Sequence, residues 1–211
     1  MKLSSAKLKV LVSATLSRNL SEVRDTGNLQ LDPLTGALTR QAFFHQIIDR
    51  TAYANTSARV FTVCLINADQ FKNVNHQHGQ QTGDDVLAQV TNRIRLDLAV
   101  TLGDVREFDL CRYDGNGFAL LIPDSDLDQA SAAAESFRQA VGETDVQLGL
   151  RVTISVGIAQ YQLWESAEDT LSRAEHALQL AKQFGRDRVE VAHSPKSSPE
   201  AADVIPLEQS A

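Results

Sequence analysis

Apolar residues recur at helical spacing over residues 6–24, through Leu8, Leu11, Val12, Leu16, Leu20 and Val23, which predicts an amphipathic helix. The turn-rich run Asp25-Thr26-Gly27-Asn28 ends it. Beyond this break the chain alternates between helical and extended periods. A stripe of Phe43, Phe44, Ile47 and Ile48 predicts a helix over 39–52. Val60 to Ile66 is almost continuously apolar and reads as a strand central in a sheet. A short helix over 69–77 and a longer one over 83–99 follow, the second with Val86, Val90, Ile94 and Leu98 on one face. Two strands, 107–113 and 117–122, flank a turn and predict a hairpin. An alanine-rich helix over 126–141, an alternating strand over 151–160, a helix over 166–184 and a short strand over 188–192 complete the pattern. A hairpin set among strand–helix crossovers argues for an α+β domain, a mainly antiparallel sheet of about five strands covered by helices. The expected organisation is an N-terminal helix and linker over 1–29, one domain over 30–192, and a disordered tail over 193–211 that holds three of the five prolines.

Composition narrows the partners. A chain of 211 residues with 43% apolar content suits one domain of roughly 150–180 residues with flanking segments. A net charge of -7 argues against nucleic acid as a partner. No run approaches the ~18 apolar residues of a membrane span. Lys7 and Lys9 interrupt the apolar stretch that a signal peptide needs, so a cytoplasmic location is expected. The 6–24 helix carries no aromatic anchor for a membrane surface. It is expected to pack on its own domain or to pair with a copy of itself in a homodimer. Cys64 and Cys111 lie in apolar runs and read as buried thiols rather than a disulfide or metal site. Trp164 reads as a surface or lid contact, and His76 and His78 form no metal set with the cysteines.

Four stretches carry candidate chemistry. In Arg112-Tyr113-Asp114-Gly115-Asn116-Gly117-Phe118-Ala119, the Asp-Gly and Asn-Gly pairs predict a tight turn with left-handed residues. Asp114 and Asn116 are the polar side chains of its tip. Asn67 and Asp69 lie where a buried strand ends, a place where carboxylates hold Mg²⁺ for nucleotidyl transfer. Asp69 suits either that role or capping of the next helix. Asn75 and Asp84 flank Gly79 and Gly83; an amide and a carboxylate together match the donor–acceptor edge of guanine. The alternative is that Thr82 or Asp84 caps the following helix. Lys182 and Arg186 bracket the end of the last helix, either as ordinary C-terminal cations or as a phosphate clamp.

Taken together these stretches resemble the GGDEF family of diguanylate cyclases over about residues 30–192. The opening Asp32-Pro33-Leu34-Thr35-Gly36 with Arg40 is similar to the entry motif Asp-x-Leu-Thr-Gly-Leu-x-Asn-Arg, departing at Ala37 and Thr39. Asp69, Phe71, Lys72, Asn75, Gly79, Gly83 and Asp84 match the next motif, while Asn67, His76 and Gln80 do not. Thr153-Ile154-Ser155-Val156-Gly157-Ile158-Ala159 matches the family's Thr-x-Ser-x-Gly-Ile-Ala strand, and Ala177 to Arg188 its last helix and strand. The signature Gly-Gly-Asp/Glu-Glu-Phe is replaced by Asp114-Gly115-Asn116-Gly117-Phe118.

The resemblance implies a palm-like fold of the nucleotidyl cyclases and a reaction in which two GTP-loaded domains form cyclic di-GMP. It implies that Asn75 and Asp84 read guanine, and that Lys182 and Arg186, with Lys72, hold phosphates. It places Asn67, Asn116 and Gly117 where the family has carboxylates. The expected function is therefore a catalytically inactive, regulatory domain of cyclic di-GMP signalling that binds GTP without turnover, with Mg²⁺ only as an aid to that binding. The alternatives are a protein-interaction or dimerisation module without nucleotide, and a weak cyclase using Asp69 and Asp114. A protein partner supplying the signal in trans is expected. The family's product-site pattern Arg-x-x-Asp has a counterpart in Arg106 and Asp109, out of phase by one residue, so product binding there is not expected.

Overall fold

The computed structural model describes residues 31–102, 109–147 and 149–192. The elements are β1 (Leu38–Thr39), α1 (Arg40–Ser57), β2 (Phe61–Ala68), α2 (Phe71–His78), α3 (Gln80–Thr101), β3 (Asp109–Arg112), β4 (Gly117–Pro123), α4 (Leu127–Gly142), β5 (Asp145–Gln147), β6 (Leu150–Arg151), β7 (Ile154–Gln160), α5 (Ala167–Gln183) and β8 (Val189–Val191). The main sheet runs β1-β3-β4-β2-β7-β8, and β5 and β6 pair as a separate ribbon. The inner four strands pair antiparallel, and β1 and β8 add parallel strands at the two edges. The order β3-β4-β2-β7, with helices after β2 and β4, is the split βαβ arrangement. This is the mainly antiparallel, helix-covered α+β sheet expected; the strand added to the expected five is β1, whose two residues are too few to show a period.

Alternation along the strands separates two apolar layers. Phe61, Val63 and Leu65 of β2 pack with Phe43 and Ile47 of α1 and Leu171, Ala174 and Leu178 of α5. Cys64, Ile66 and Ala68 face the other way, with Val86, Val90 and Ile94 of α3 and Phe137 of α4. β2 is buried on both faces, which explains its continuous apolar run. α5 lies so close on β7 that a Cβ on Gly157 would come 2.7 Å from Leu178 Cα. Side chains cap three helices: Thr39 Oγ1 accepts from Ala42 N, Asp126 Oδ1 from Gln129 N and Ser166 Oγ from Asp169 N.

Among the described residues no helix is long and apolar enough to cross a membrane. Cys64 and Cys111 are buried free thiols, and burial pushes each up to about 12. Trp164 stands 79% exposed. The expected 6–24 helix, the 193–211 tail and Arg106 lie outside the described residues.

Candidate functional site

The site gathers where β2 ends. Asp69, expected to cap a helix or ligate metal, does not cap α2, whose N-cap is Gln70 without a side-chain bond. Its carboxylate is buried and accepts from Ser155 Oγ at 2.7 Å, Thr153 Oγ1 at 2.8 Å and Asp187 N at 3.1 Å. Asp69 N in turn donates to Thr153 O at 2.9 Å. The carboxylate thus ties the end of β2 to β7 and to the loop before β8. Thr153 and Ser155 had no role assigned from sequence; the signal was two hydroxyls at alternate positions in an otherwise apolar strand.

The hairpin β3–β4 closes the other flank. Asn116 Nδ2 donates to Asn67 Oδ1 at 3.2 Å and to Ala68 O at 2.8 Å. Ala68 N donates back to Asn116 O at 3.0 Å. The expected left-handed turn is absent, since no residue from Tyr113 to Gly117 has a positive φ. The connection is four residues long, Tyr113 to Asn116, closed by the Tyr113 and Asp114 N–H groups on Gly117 O, and a loop of this length does not need a left-handed residue. Asp114 folds back over Gly117: a Cβ there would come 3.0 Å from Asp114 Cγ. Among the described residues the Asp114 carboxylate has no partner.

Asn75 and Asp84 are joined by two glycines. Gly79 has φ 85° and separates α2 from α3, a conformation that favours glycine. Asn75 therefore lies in the last turn of α2, with Gly83 and Asp84 near the start of α3. Because α3 starts at Gln80, neither Thr82 nor Asp84 caps it; Thr82 Oγ1 donates instead to His78 O at 2.9 Å. The Asn75 amide sits directly over Gly83, where a Cβ would come 3.0 Å from Asn75 Cγ. Asn75 Oδ1 is the sole buried side-chain polar atom without a hydrogen bond among the described residues. The half-buried Asp84 carboxylate also lacks a partner there.

Lys182 lies in the last turn of α5, and Arg186 follows it, its N–H on Ala181 O at 2.9 Å. Arg186 and Asp187 both take left-handed backbone, at φ 65° and 47°. Two contacts hold this uncommon pair: Asp187 N on Asp69, and the Asp187 carboxylate on Arg138 of α4, whose other arm grips Glu135 at 2.6 Å. The loop carrying Arg186 is therefore anchored to Asp69, one residue from the Ala68 carbonyl that anchors the hairpin. Lys72 is exposed on α2, and the side chains of Lys72, Lys182 and Arg186 have no partner among the described residues.

The entry turn braces the hairpin. Asp32 Oδ1 accepts from Thr35 N and Oγ1 at 2.9 and 2.7 Å, and Arg112 bridges Asp32, at 3.3 Å, to Gly115 O, at 3.1 Å. Burial pushes the Asp32 carboxyl up, but the bonds from Thr35 and Arg112 outweigh it and hold the group below its ordinary value.

The chain is 32% identical over 158 residues to the diguanylate cyclase DgcM of Escherichia coli, covering 75% of this chain and 37% of that one. The chain thus spans little more than a third of that curated relative. The GGDEF domain of DgcB from Caulobacter crescentus, solved with c-di-GMP, superposes with a TM-score of 0.71 at 27% identity, over 79% of this chain and 95% of that one. The diguanylate cyclase SiaD from Pseudomonas aeruginosa, solved with its activator SiaC, superposes with a TM-score of 0.74 at 28% identity, over 85% of this chain and 68% of that one. The family model for the diguanylate cyclase GGDEF domain matches residues 29–188, most of the described sheet and helices, and the chain belongs to that family.

Proposed function

We propose that this domain binds a guanine nucleotide without turning it over and acts as a non-enzymatic regulator in cyclic di-GMP signalling. The observation that carries the reading is the Asn116–Asn67 amide pair, which occupies two positions where the family has carboxylates. A pair of Mg²⁺ ions needs charged oxygens at the strand end. The two amides there satisfy each other, Gly117 offers no side chain, and the Asp69 carboxylate already accepts three hydrogen bonds. These residues do not fit a two-ion site.

Retained binding is supported by the groups left without partners. Asn75 Oδ1 is buried and unsatisfied, and leaving such an atom unpaired costs about 1–3 kcal/mol. With Asp84 it offers the amide and carboxylate that suit guanine, while Lys182, Arg186 and Lys72 offer unpaired cations for phosphate. A protein partner is part of the proposal, by analogy with SiaD and its activator.

Calorimetric titration of GTP, with Mg²⁺ and then with EDTA, tests it. Binding that persists in EDTA, disappears in Asp84→Ala and yields no cyclic product on incubation supports the reading. Product formed from GTP and lost in Asp114→Ala overturns it in favour of a weak cyclase. Absence of binding of GTP, GDP and GMP alike in both buffers overturns it in favour of a protein-interaction module.

A further inference from the structure

We infer that this site takes guanosine mono- or diphosphate in preference to the triphosphate, and that Asp114 sets the preference. The inference rests on the proposed guanine-nucleotide binding and adds which nucleotide is bound. The Asp114 carboxylate is held against Gly117. Its Cγ and Oδ2 stand 3.0 and 3.4 Å from the place a Cβ on Gly117 would take. Gly117 is paired directly with Asn67 in the β2–β4 register. Side chains at directly opposed positions of an antiparallel pair share one face, with Cβ atoms about 4.5–5.5 Å apart. The carboxylate of Asp114 therefore stands on the same face as the Asn67 amide, although it comes from three residues earlier in the chain than Gly117.

Among the described residues the Asp114 carboxylate has no hydrogen bond or ion pair, and the Arg112 guanidinium of the same hairpin is engaged by Asp32 and Gly115 O. Asn116 Nδ2 gives its two protons to Asn67 Oδ1 and Ala68 O. The cations lie on the other side of β2 from the hairpin: Lys182 in the last turn of α5, and Arg186 on the loop that Asp187 N anchors to Asp69. Phosphate groups gathered by Lys182 and Arg186 would then sit at this strand end, which the hairpin tip borders on the other side of β2. Each added phosphate brings further negative charge toward Asp114. With the carboxylate set absent, no divalent ion is held to bridge the two. The substitution pattern works as one unit: a side chain at 117 would displace Asp114, and Asp114 can fold back only because Gly117 leaves room.

The test is calorimetric titration of GMP, GDP and GTP into the full chain in EDTA, for the native protein and for Asp114→Asn, which keeps the shape of the side chain and removes its charge. The native chain is expected to bind GDP at least about fivefold tighter than GTP, with the gap shrinking at high salt because Asp114 is exposed. In Asp114→Asn, GTP binding is expected to tighten about tenfold, as removal of a nearby like charge allows, while GMP binding changes less than twofold. Unchanged GMP binding also reports that the variant is folded. Tightest binding of GTP by the native chain, or a preference for GDP that Asp114→Asn leaves intact, overturns this inference and leaves the proposed nucleotide binding standing. No binding of any of the three nucleotides by the native chain overturns the proposed function itself, and this inference with it.

Discussion

The side-chain amide of Asn116 donates to Asn67 Oδ1 at 3.2 Å, across the ends of β4 and β2. The same nitrogen donates to Ala68 O at 2.8 Å, so a neutral amide closes the strand end with both protons in use. Asn116→Asp replaces a double donor with an acceptor that faces two acceptors. A loss of about 1–3 kcal/mol is expected in EDTA, read as a lower urea midpoint. In Asn67→Asp/Asn116→Asp, two carboxylates face each other, and added Mg²⁺ is expected to recover part of the loss. An unchanged midpoint in EDTA for Asn116→Asp would show that the amide pair contributes nothing to closing the hairpin.

Asp69 is a hub of the fold. Its carboxylate accepts from two hydroxyls and one backbone N–H, joining β2, β7 and the loop before β8. Asp69→Ala leaves all three donors unsatisfied next to the core, and a loss on the order of 3 kcal/mol is expected in metal-free buffer. A residue whose role was confined to metal binding would show no such loss there. Urea denaturation in EDTA therefore separates the two roles, and an unaltered midpoint would return Asp69 to the metal site.

How far the sequence reveals this molecule depends on the range of the interaction. Phe61 to Ala68 reads as a central strand because burial on both faces writes itself into eight consecutive residues. The paired sequence motifs place Asn75 near Asp84 because Gly79 and Gly83 are local. The partners of Asp69 were not legible: Ser155 and Asp187 lie 86 and 118 residues further along the chain, and only the fold brings them in. The hairpin was legible as an element but not in its turn, because Asn116 is drawn inward by contacts 48 and 49 residues away instead of adopting the local Asn-Gly preference. The fold of Asp114 over Gly117 is local, yet no propensity expresses it.

The brace formed by Asp32 gives the protein an acid limit. Its carboxyl is held below the ordinary value, so it contributes stability that is full above the unfolded value of about 3.9 and is lost as the pH falls through the lower folded value. Asp32→Asn is expected to be less stable than the native protein at pH 7, with the difference narrowing below about pH 4. Glu135, lowered by its bond to Arg138, loses its contribution in the same direction and leaves a residual slope in the variant. Urea midpoints at pH 7, 4 and 3 measure the effect. An equal difference at all three would mean that Asp32 contributes through its shape alone.

Gly83 separates the proposed base site from the fold. It lies inside α3, where glycine is destabilising relative to alanine by about 1 kcal/mol. Helix propensity alone therefore favours Gly83→Ala. Opposing it, the new methyl meets the Asn75 amide, with Cγ at 3.0 Å, and Phe71 Cζ at 3.1 Å. The amide is the end of a flexible side chain with no hydrogen bond to lose, so it swings aside at small cost to the fold. Stability is expected to change by less than about 1 kcal/mol. Nucleotide affinity is expected to fall about tenfold or more, since the group placed to meet guanine is displaced and a lost hydrogen bond in a buried site is worth at least that factor. Denaturation and calorimetry on one variant read the two effects apart. Affinity that survives Gly83→Ala with the fold intact would remove Asn75 from the base site.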